Sequence, residues 1–192
     1  MNLMHTMRIP RFSTLHYHDV VFRDFAQLLF SCSESESTHF GIFMLETLRQ
    51  LSQWRDPAIY AVVCAGFDGF STSTCAATSI SKQEQYSDFL KISYKWQHRL
   101  AKALLFHLSG SEYMELRNVL VILVTLVDQF PVIASHGRHL YKHVERIMVK
   151  DNRGDITTVA KRYLAMLKSV QFKWVAVEKF TSIDQVNEIY GI

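Results

Sequence analysis

The amino-acid sequence predicts an all-α protein and, within that class, an α-solenoid of antiparallel helix pairs. Apolar residues recur at steps of three and four through most of the chain, as on one face of a helix. Hydrophobic residues make up 48% of the 192 residues and charged residues 20%, with only seven glycines and three prolines, which suits packed helices. No stretch has a convincing strand pattern. We expect one helical-repeat domain over residues 1–192, a segment of a longer scaffold, with a compact bundle as the alternative.

Two successive helices are predicted near the start of the chain. Apolar residues at helical spacing run from Asp19 to Cys32, and Ser33 with Glu36 then forms the pattern of a capping box. The second helix should extend to about Trp54. The apolar residues that it should bury are Phe40, Phe43, Met44, Leu48 and Leu51.

A short helix and a loop are predicted next. Asp56 and Pro57 are typical of a helix start, and this helix should continue through Cys64. The stretch AGFDGFSTSTCAATSIS that follows is rich in glycine, serine and threonine. We therefore expect a mobile loop over residues 65–81.

The longest apolar run, Val119 to Val127, allows three interpretations: a membrane span, a buried strand or a buried helix. Its nine residues are far fewer than the about 20 that a span requires. Its β-branched residues favour a strand. However, Gly110 can end a preceding helix, Ser111 is placed as an N-cap, and Pro131 closes the segment. We therefore predict a buried helix that other helices cover on several sides.

This helix, from about Glu112 to Asp128, should pair with the helix before it. The preceding helix is expected from about Lys82 to Ser109. Its core stripe consists of Phe89, Ile92, Trp96, Leu100, Leu104 and Leu108. Because the turn between the two helices is so short, they must lie antiparallel.

Two further long helices are expected, from Ser135 to Lys150 and from Asp155 to about Val170, separated by the turn signal DNRG. The first should bury Leu140, Tyr141, Val144, Ile147 and Met148. A weaker helix is expected after Thr181, within a weakly ordered end over residues 175–192.

Charge and cysteine usage limit the classes of function. The formal net charge is +3, but six Lys and Arg face nine Asp and Glu up to Leu90, and fifteen face nine from Lys91 onward. The basic character therefore lies in the second half. The opening residues lack the apolar region of a signal peptide, which disfavours secretion. The three cysteines are widely spaced, which fits a reducing compartment better than a disulfide framework.

Motifs for catalysis or metal binding are weak or absent. His136, His139 and His143 could bring three imidazoles to a metal, but no fourth ligand has matching spacing, and a solvated polar face is the favoured interpretation. The sequence contains no Walker loop, no GxGxxG and no GxSxG elbow. We therefore predict no catalytic residues, no metal site and no cofactor.

The aromatic residues of the Lys82–Ser109 helix allow two interpretations. Tyr86, Phe89, Tyr94 and Trp96 could stack on nucleic-acid bases, because Lys91, Lys95 and Arg99 are close in sequence. Phe89 and Trp96, however, belong to the apolar stripe of that helix. Packing in the core is therefore the favoured interpretation.

A row of cations is the strongest candidate for a functional surface. Arg138, Lys142, Arg146 and Lys150 are spaced by four, which places them on one helix face, away from the apolar residues of the same helix. Such a row is either a solvated face or a contact for an acidic or phosphate-bearing partner. We predict the second, with these four residues as the partner or phosphate contact.

Several segments, in order through most of the chain, resemble the THO complex subunit 2 family. The most specific are YKWQHRLAKA (Tyr94 to Ala103) and EYMELRNVLVIL (Glu112 to Leu123). The others are FSTLHYHDVVF, SCSESES, MLETL, AGFDG, FPVI and LKS. The serine- and threonine-rich part of the loop and the stretch after Trp174 diverge from the family.

The resemblance implies an all-helical, nuclear scaffold of the THO/TREX mRNA-export assembly. Its implied partners are other THO subunits and a DEAD-box RNA helicase, which the assembly loads onto nascent transcripts. Two functions follow as hypotheses: a non-catalytic interaction scaffold, or a helical nucleic-acid-binding module that contacts RNA through the basic second half. An enzyme is the least supported class, and no membrane partner is expected.

Overall fold

The chain folds into helical hairpins. The computed structural model describes residues 12–65, 67–70 and 85–180, and these residues form seven α-helices. The helices are α1 (Thr14–Ser31), α2 (Glu34–Trp54), α3 (Pro57–Val63), α4 (Tyr86–Leu108), α5 (Tyr113–Leu126), α6 (Ala134–Lys150) and α7 (Gly154–Val170). Single 3-10 turns occur at Asp68–Phe70, Gln171–Lys173 and Val177–Lys179. In this described part of the chain, β pairing is limited to one bridge between Ile133 and Val175, so the all-α prediction is confirmed.

Three hairpins, α1/α2, α4/α5 and α6/α7, stack in chain order. α4 packs between α1 and α6, and α5 packs between α2 and α7. Corresponding helices of the first two hairpins run in the same direction: at the start of α5 the Asn118 amide donates to the Cys32 carbonyl at 2.7 Å, and farther along both helices Gly41 of α2 faces Thr125 of α5. This order of packing is the one that an α-solenoid of antiparallel pairs requires.

The turns of all three hairpins lie at one edge of the stack, where Arg117 joins the first hairpin to the third. From α5, its guanidinium donates to Glu34 Oε1 at 2.8 Å and to Asp155 Oδ2 at 3.0 Å. These carboxylates belong to the first turns of α2 and α7, where negative charge is favourable. Tyr113 also donates to Asp155.

α5 is the central helix of the core. Its fully or almost fully buried apolar residues are Leu116, Val119, Leu120, Ile122, Leu123 and Leu126. The predicted buried helix is therefore confirmed. The prediction of Ser111 as its N-cap is wrong: the N-cap is Glu112, which makes no side-chain capping bond. Ser111 lies one residue too early to cap the first-turn amides.

The first hairpin confirms the predicted capping box and corrects two other expectations. The Ser33 side chain accepts from Glu36 N, and the Glu36 side chain accepts from Ser33 N. α1 begins at Thr14 rather than Asp19, with Ser13 as N-cap. Phe43, predicted to be buried, is 37% exposed. It precedes the buried Met44 by one residue and so points about 100° away from it around the helix, where its ring stacks on that of Phe40 at a centroid distance of 6.2 Å.

The segment after α3 packs against the core at Phe70, the last residue described there. α3 starts as predicted, with the Asp56 carboxylate accepting from the amides of Ala58 and Ile59. Phe70 is completely buried, with its ring centroid 5.1 Å from that of Trp54 and 6.2 Å from that of Phe89. Residues 66 and 71–81 of the predicted mobile loop lie outside the described residues.

A segment after α7 crosses the start of α6. Val175 N donates to the Val132 carbonyl at 2.9 Å, and Ala134 N donates to the Val175 carbonyl at 3.0 Å. Phe180 is buried beside Tyr94. The helix predicted after Thr181 lies outside the described residues.

Candidate functional site

The four cations predicted to contact a partner lie along α6, and all four are exposed. Twelve residues of α-helix span about 18 Å, which is the length of this row. On the opposite side of α6, Leu140 and Val144 are completely buried, and Ile147 packs against the core. Among the described residues, no salt bridge involves any of the four cations. No described acidic side chain neutralises the row, while the core face fixes the helix.

The hairpin that carries this row is strongly basic. From residue 134 to residue 180 there are ten Lys and Arg against four Asp and Glu. Two of the four acids are already engaged: Asp155 binds Arg117, and hydrogen bonds from Arg153 lower the pKa of Asp151 to about 2. On α7, Lys168 lies 5.5 Å from the ring centroid of Tyr141. An approaching anion therefore meets a positive surface with little internal neutralisation.

The three histidines considered as metal ligands do not converge. His136 is buried, and its Nε2 lies 3.4 Å from Nδ1 of His98. Its ring stacks on Tyr94, and burial lowers its pKa to about 3. His139 is exposed, while His143 bonds the His139 carbonyl. Throughout the described ranges, no group of three or more His, Cys, Asp or Glu could hold a metal ion.

Three of the four α4 aromatic residues considered for base stacking belong to the core, as the favoured interpretation predicted, and the fourth, Tyr86, is partly buried and donates to the Arg55 carbonyl. Phe89, Tyr94 and Trp96 are at most 1% exposed. The Trp96 indole donates to Asp19 at 3.1 Å, and Arg99 donates to the same carboxylate at 2.7 Å. These rings are therefore unavailable for base stacking.

The sequence reasoning missed several exposed phenylalanines, including Phe172, which is 82% exposed. Phe106 of α4 is 70% exposed and Phe30 of α1 is 74% exposed. A signal for Phe106 existed: it stands two residues from both Leu104 and Leu108, hence on the opposite side of the helix from the core stripe. These rings are available to a partner.

Two cavities in the described part are lined mainly by polar side chains. One, of about 380 Å³, includes Tyr17, Phe43 and Gln50 of the first hairpin. The other, of about 220 Å³, lies at the edge opposite the hairpin turns, with Asp128 and Lys173. Neither brings a nucleophile to a general base. None of the described helices has the length and apolarity needed to cross a membrane.

The sequence of this chain is similar to that of a known protein family. A family model described as transcription factor/nuclear export subunit protein 2, Tho2, matches residues 1–167. THO complex subunit 2 of Homo sapiens is 32% identical over 174 residues, covering 87% of this chain and 11% of the relative. THO complex subunit 2 of Arabidopsis thaliana is 29% identical over 182 residues, covering 94% of this chain and 10% of the relative.

A more distant relative extends the same similarity. THO complex subunit 2 of Saccharomyces cerevisiae is 22% identical over 158 residues, covering 82% of this chain and 8% of the relative. The chain thus spans about a tenth of the length of the curated relatives it matches. No solved structure matches it.

Proposed function

The chain belongs to the Tho2 family, and on this basis we propose that it is a non-catalytic scaffold segment of the nuclear THO/TREX assembly. Through other THO subunits and a DEAD-box RNA helicase, it supports co-transcriptional mRNA packaging and nuclear export. The relatives are named as subunits of a complex, which supports a role in assembly.

One structural observation carries the proposal. Arg138, Lys142, Arg146 and Lys150 are exposed on α6, while the opposite side of the same helix is fixed in the core. A protein that only had to fold would gain little from four like charges at successive turns, because such pairs repel each other. The row instead provides a charged surface that an acidic subunit or RNA phosphate can contact without a change in the fold.

Association measurements test this role. The variant R138Q/K142Q/R146Q/K150Q removes the row, and R49Q/K161Q/R162Q/K173Q removes the same charge from other exposed positions. Each chain is mixed with the remaining THO subunits, with the helicase and with RNA at two salt concentrations. We expect only the row variant to associate more slowly and with a weaker salt dependence. Equal association of both variants and the unchanged chain with all three partners would contradict the assigned contact.

A second candidate function is a helical nucleic-acid-binding module. The observation in its favour is that no described acidic residue forms a salt bridge with the row. A salt titration with single-stranded RNA separates this function from pure scaffolding, because phosphate contacts make affinity fall steeply with salt. Absence of binding at low salt would leave the scaffold role alone.

A further inference from the structure

The outer face of α4 combines a cation with an exposed aromatic ring. Lys102 and Phe106 are separated by four residues and are both exposed, so they neighbour each other on one side of the helix. Two other cations on this helix, Lys95 and Arg99, are directed to Asp19 at 3.8 and 2.7 Å. Lys102 forms no salt bridge with any described residue. The free charge of α4 therefore lies next to the ring.

The basic row of α6 continues this face. α4 and α6 pack side by side, with His98 of α4 against His136 of α6. Each step of four residues rotates by about 40° around a helix axis, so the row winds toward the α4 side as it proceeds. Viewed along the α6 axis, Lys150 lies within about 40° of His136, the residue that faces His98 of α4. Arg146 and Lys150 are therefore the members of the row that share a surface with Lys102.

A second exposed ring lies on the other side of α4. The His107 ring is hydrogen-bonded to the Ala26 carbonyl at 3.0 Å, which holds α1 beside the last turn of α4. Phe30 follows Ala26 by one helical turn on the same side of α1. Phe30 and Phe106 thus border the same α1–α4 contact. Neither of the two cavities described above includes these rings.

We propose that this surface binds single-stranded RNA, with phosphates on Lys102, Arg146 and Lys150 and bases stacked on Phe106 and Phe30. The proposal deepens the second candidate function and does not depend on the scaffold role. Proteins that bind single strands combine a cationic track with exposed aromatic faces, because every base offers a flat face for stacking. Rings that stand on a helix surface beside cations suit a stacked base better than an inserted side chain, which needs a pocket.

An abasic oligonucleotide separates the two parts of this surface. The 192-residue chain is titrated by fluorescence anisotropy with a labelled oligouridine of about 12 nucleotides, a length within the site sizes of single-strand binders. The same titration is made with an abasic ribose-phosphate chain of equal charge and with an RNA duplex, at about 50 and 200 mM salt. The variants are F106A, with F172A at another exposed ring as control, and K102Q/R146Q, with R49Q/K173Q as control.

We expect F106A to weaken oligouridine binding about fivefold or more and to leave binding of the abasic chain unchanged. F172A should match the unchanged protein. K102Q/R146Q should weaken binding of both oligomers and flatten the salt dependence, whereas R49Q/K173Q should do so less. Melting temperatures check that every variant is folded.

Other results would overturn the proposal in identifiable ways. If F106A bound oligouridine as tightly as the unchanged protein, the stacking assignment would fail while phosphate binding could stand. Equal losses in both double variants would reduce the effect to net charge. Preference for the duplex, or no RNA binding at low salt, would reject a single-strand surface. None of these results would affect THO subunit association, which tests the scaffold role separately.

Discussion

The indole ring of Trp174 packs directly on the backbone of Gly137, at the point where the segment after α7 crosses the start of α6. A Cβ atom at position 137 would lie 2.5 Å from Cζ2 of Trp174, which is closer than two carbon atoms can approach. A glycine is therefore required there for the ring to occupy its observed position.

Replacing Gly137 by alanine should displace Trp174 and destabilise the protein by about 1–3 kcal/mol, as overpacking commonly does. Urea denaturation measures the loss, and a changed tryptophan emission reports displacement of the ring. Gly154→Ala is the matched control, because nothing lies within 4 Å of a Cβ there. That variant should be neutral or gain about 0.4–1 kcal/mol. If both variants had equal stability, the close contact between Trp174 and Gly137 would not contribute to the stability of the protein.

Leu123→Ala should cost about 2–5 kcal/mol, because it leaves a cavity where a completely buried side chain packs. The free energy of unfolding in urea is the measurement. Leu28→Ala removes the same atoms from a side chain that is 47% exposed, so its loss should be much smaller. A loss under about 0.5 kcal/mol for Leu123→Ala would place this residue outside the core.

Arg117→Met should reduce the sensitivity of the fold to acid. The Arg117 hydrogen bond lowers the pKa of Glu34, and the pKa of Asp155 is lowered chiefly by the hydrogen bond from Tyr113, with Arg117 contributing. Carboxyls with lowered pKa stabilise the fold above their unfolded values, 4.5 and 3.8, and this stability is lost as pH falls through the folded values. The Tm of Arg117→Met should therefore decrease less than that of the unchanged protein between neutral and acid pH.

Arg49→Met is the control for this comparison, since Arg49 pairs only with Glu46 on its own helix among the described salt bridges. Its acid dependence should resemble that of the unchanged protein. The same Tm profile for all three chains would show that the bridge from α5 to Glu34 and Asp155 makes no contribution.

His136→Phe should flatten the decrease in stability at mildly acid pH. Burial lowers the pKa of His136 from 6.5 to about 3. The unfolded chain therefore gains a proton that the folded chain does not, and stability falls as pH decreases from 6.5 toward 3. Phenylalanine can keep the ring contact with Tyr94 but does not titrate. His139→Gln, at an exposed position, should keep the steeper slope of Tm against pH, and a slope unchanged in His136→Phe would reject this cause.

Replacing Arg138, Lys142, Arg146 and Lys150 together by glutamine should leave the melting temperature unchanged. All four side chains are exposed, and surface substitutions usually alter stability by less than about 0.5 kcal/mol each. A marked decrease in Tm would mean that the row supports the fold rather than a partner.

The sequence predicted the helices well wherever local chemistry determines them. The capping box of Ser33 and Glu36 and the Asp56 N-cap mark helix starts within one turn of chain, so their signals are visible without a fold. Burial of Leu123 follows from an apolar run too short for a membrane, inside a segment from about Glu112 to Asp128 that is too long for one strand.

Features that depend on distant partners were not predictable in this way. Thr14 belongs to α1 because that first turn is buried in the tertiary structure. No local sequence pattern predicts this burial. Arg117 links two carboxylates 83 and 38 residues away, and the position of His136 depends on α4. Of the candidate surface, spacing by four identified the row on α6, but its continuation to Lys102 required the packing of two helices.

The arrangement of the hairpin turns has a consequence for where this fold can tolerate insertions. The short turns before α2, α5 and α7 share one edge, whereas the C-terminal ends of α2 and α5, each followed by more residues before the next long helix, share the opposite edge. An extra residue in a short turn would shift two packed helices against each other, whereas a longer connection closes with little added entropy. Length differences among homologues, and sites suited to inserted tags or reporter domains, should therefore concentrate at the edge with the long connections.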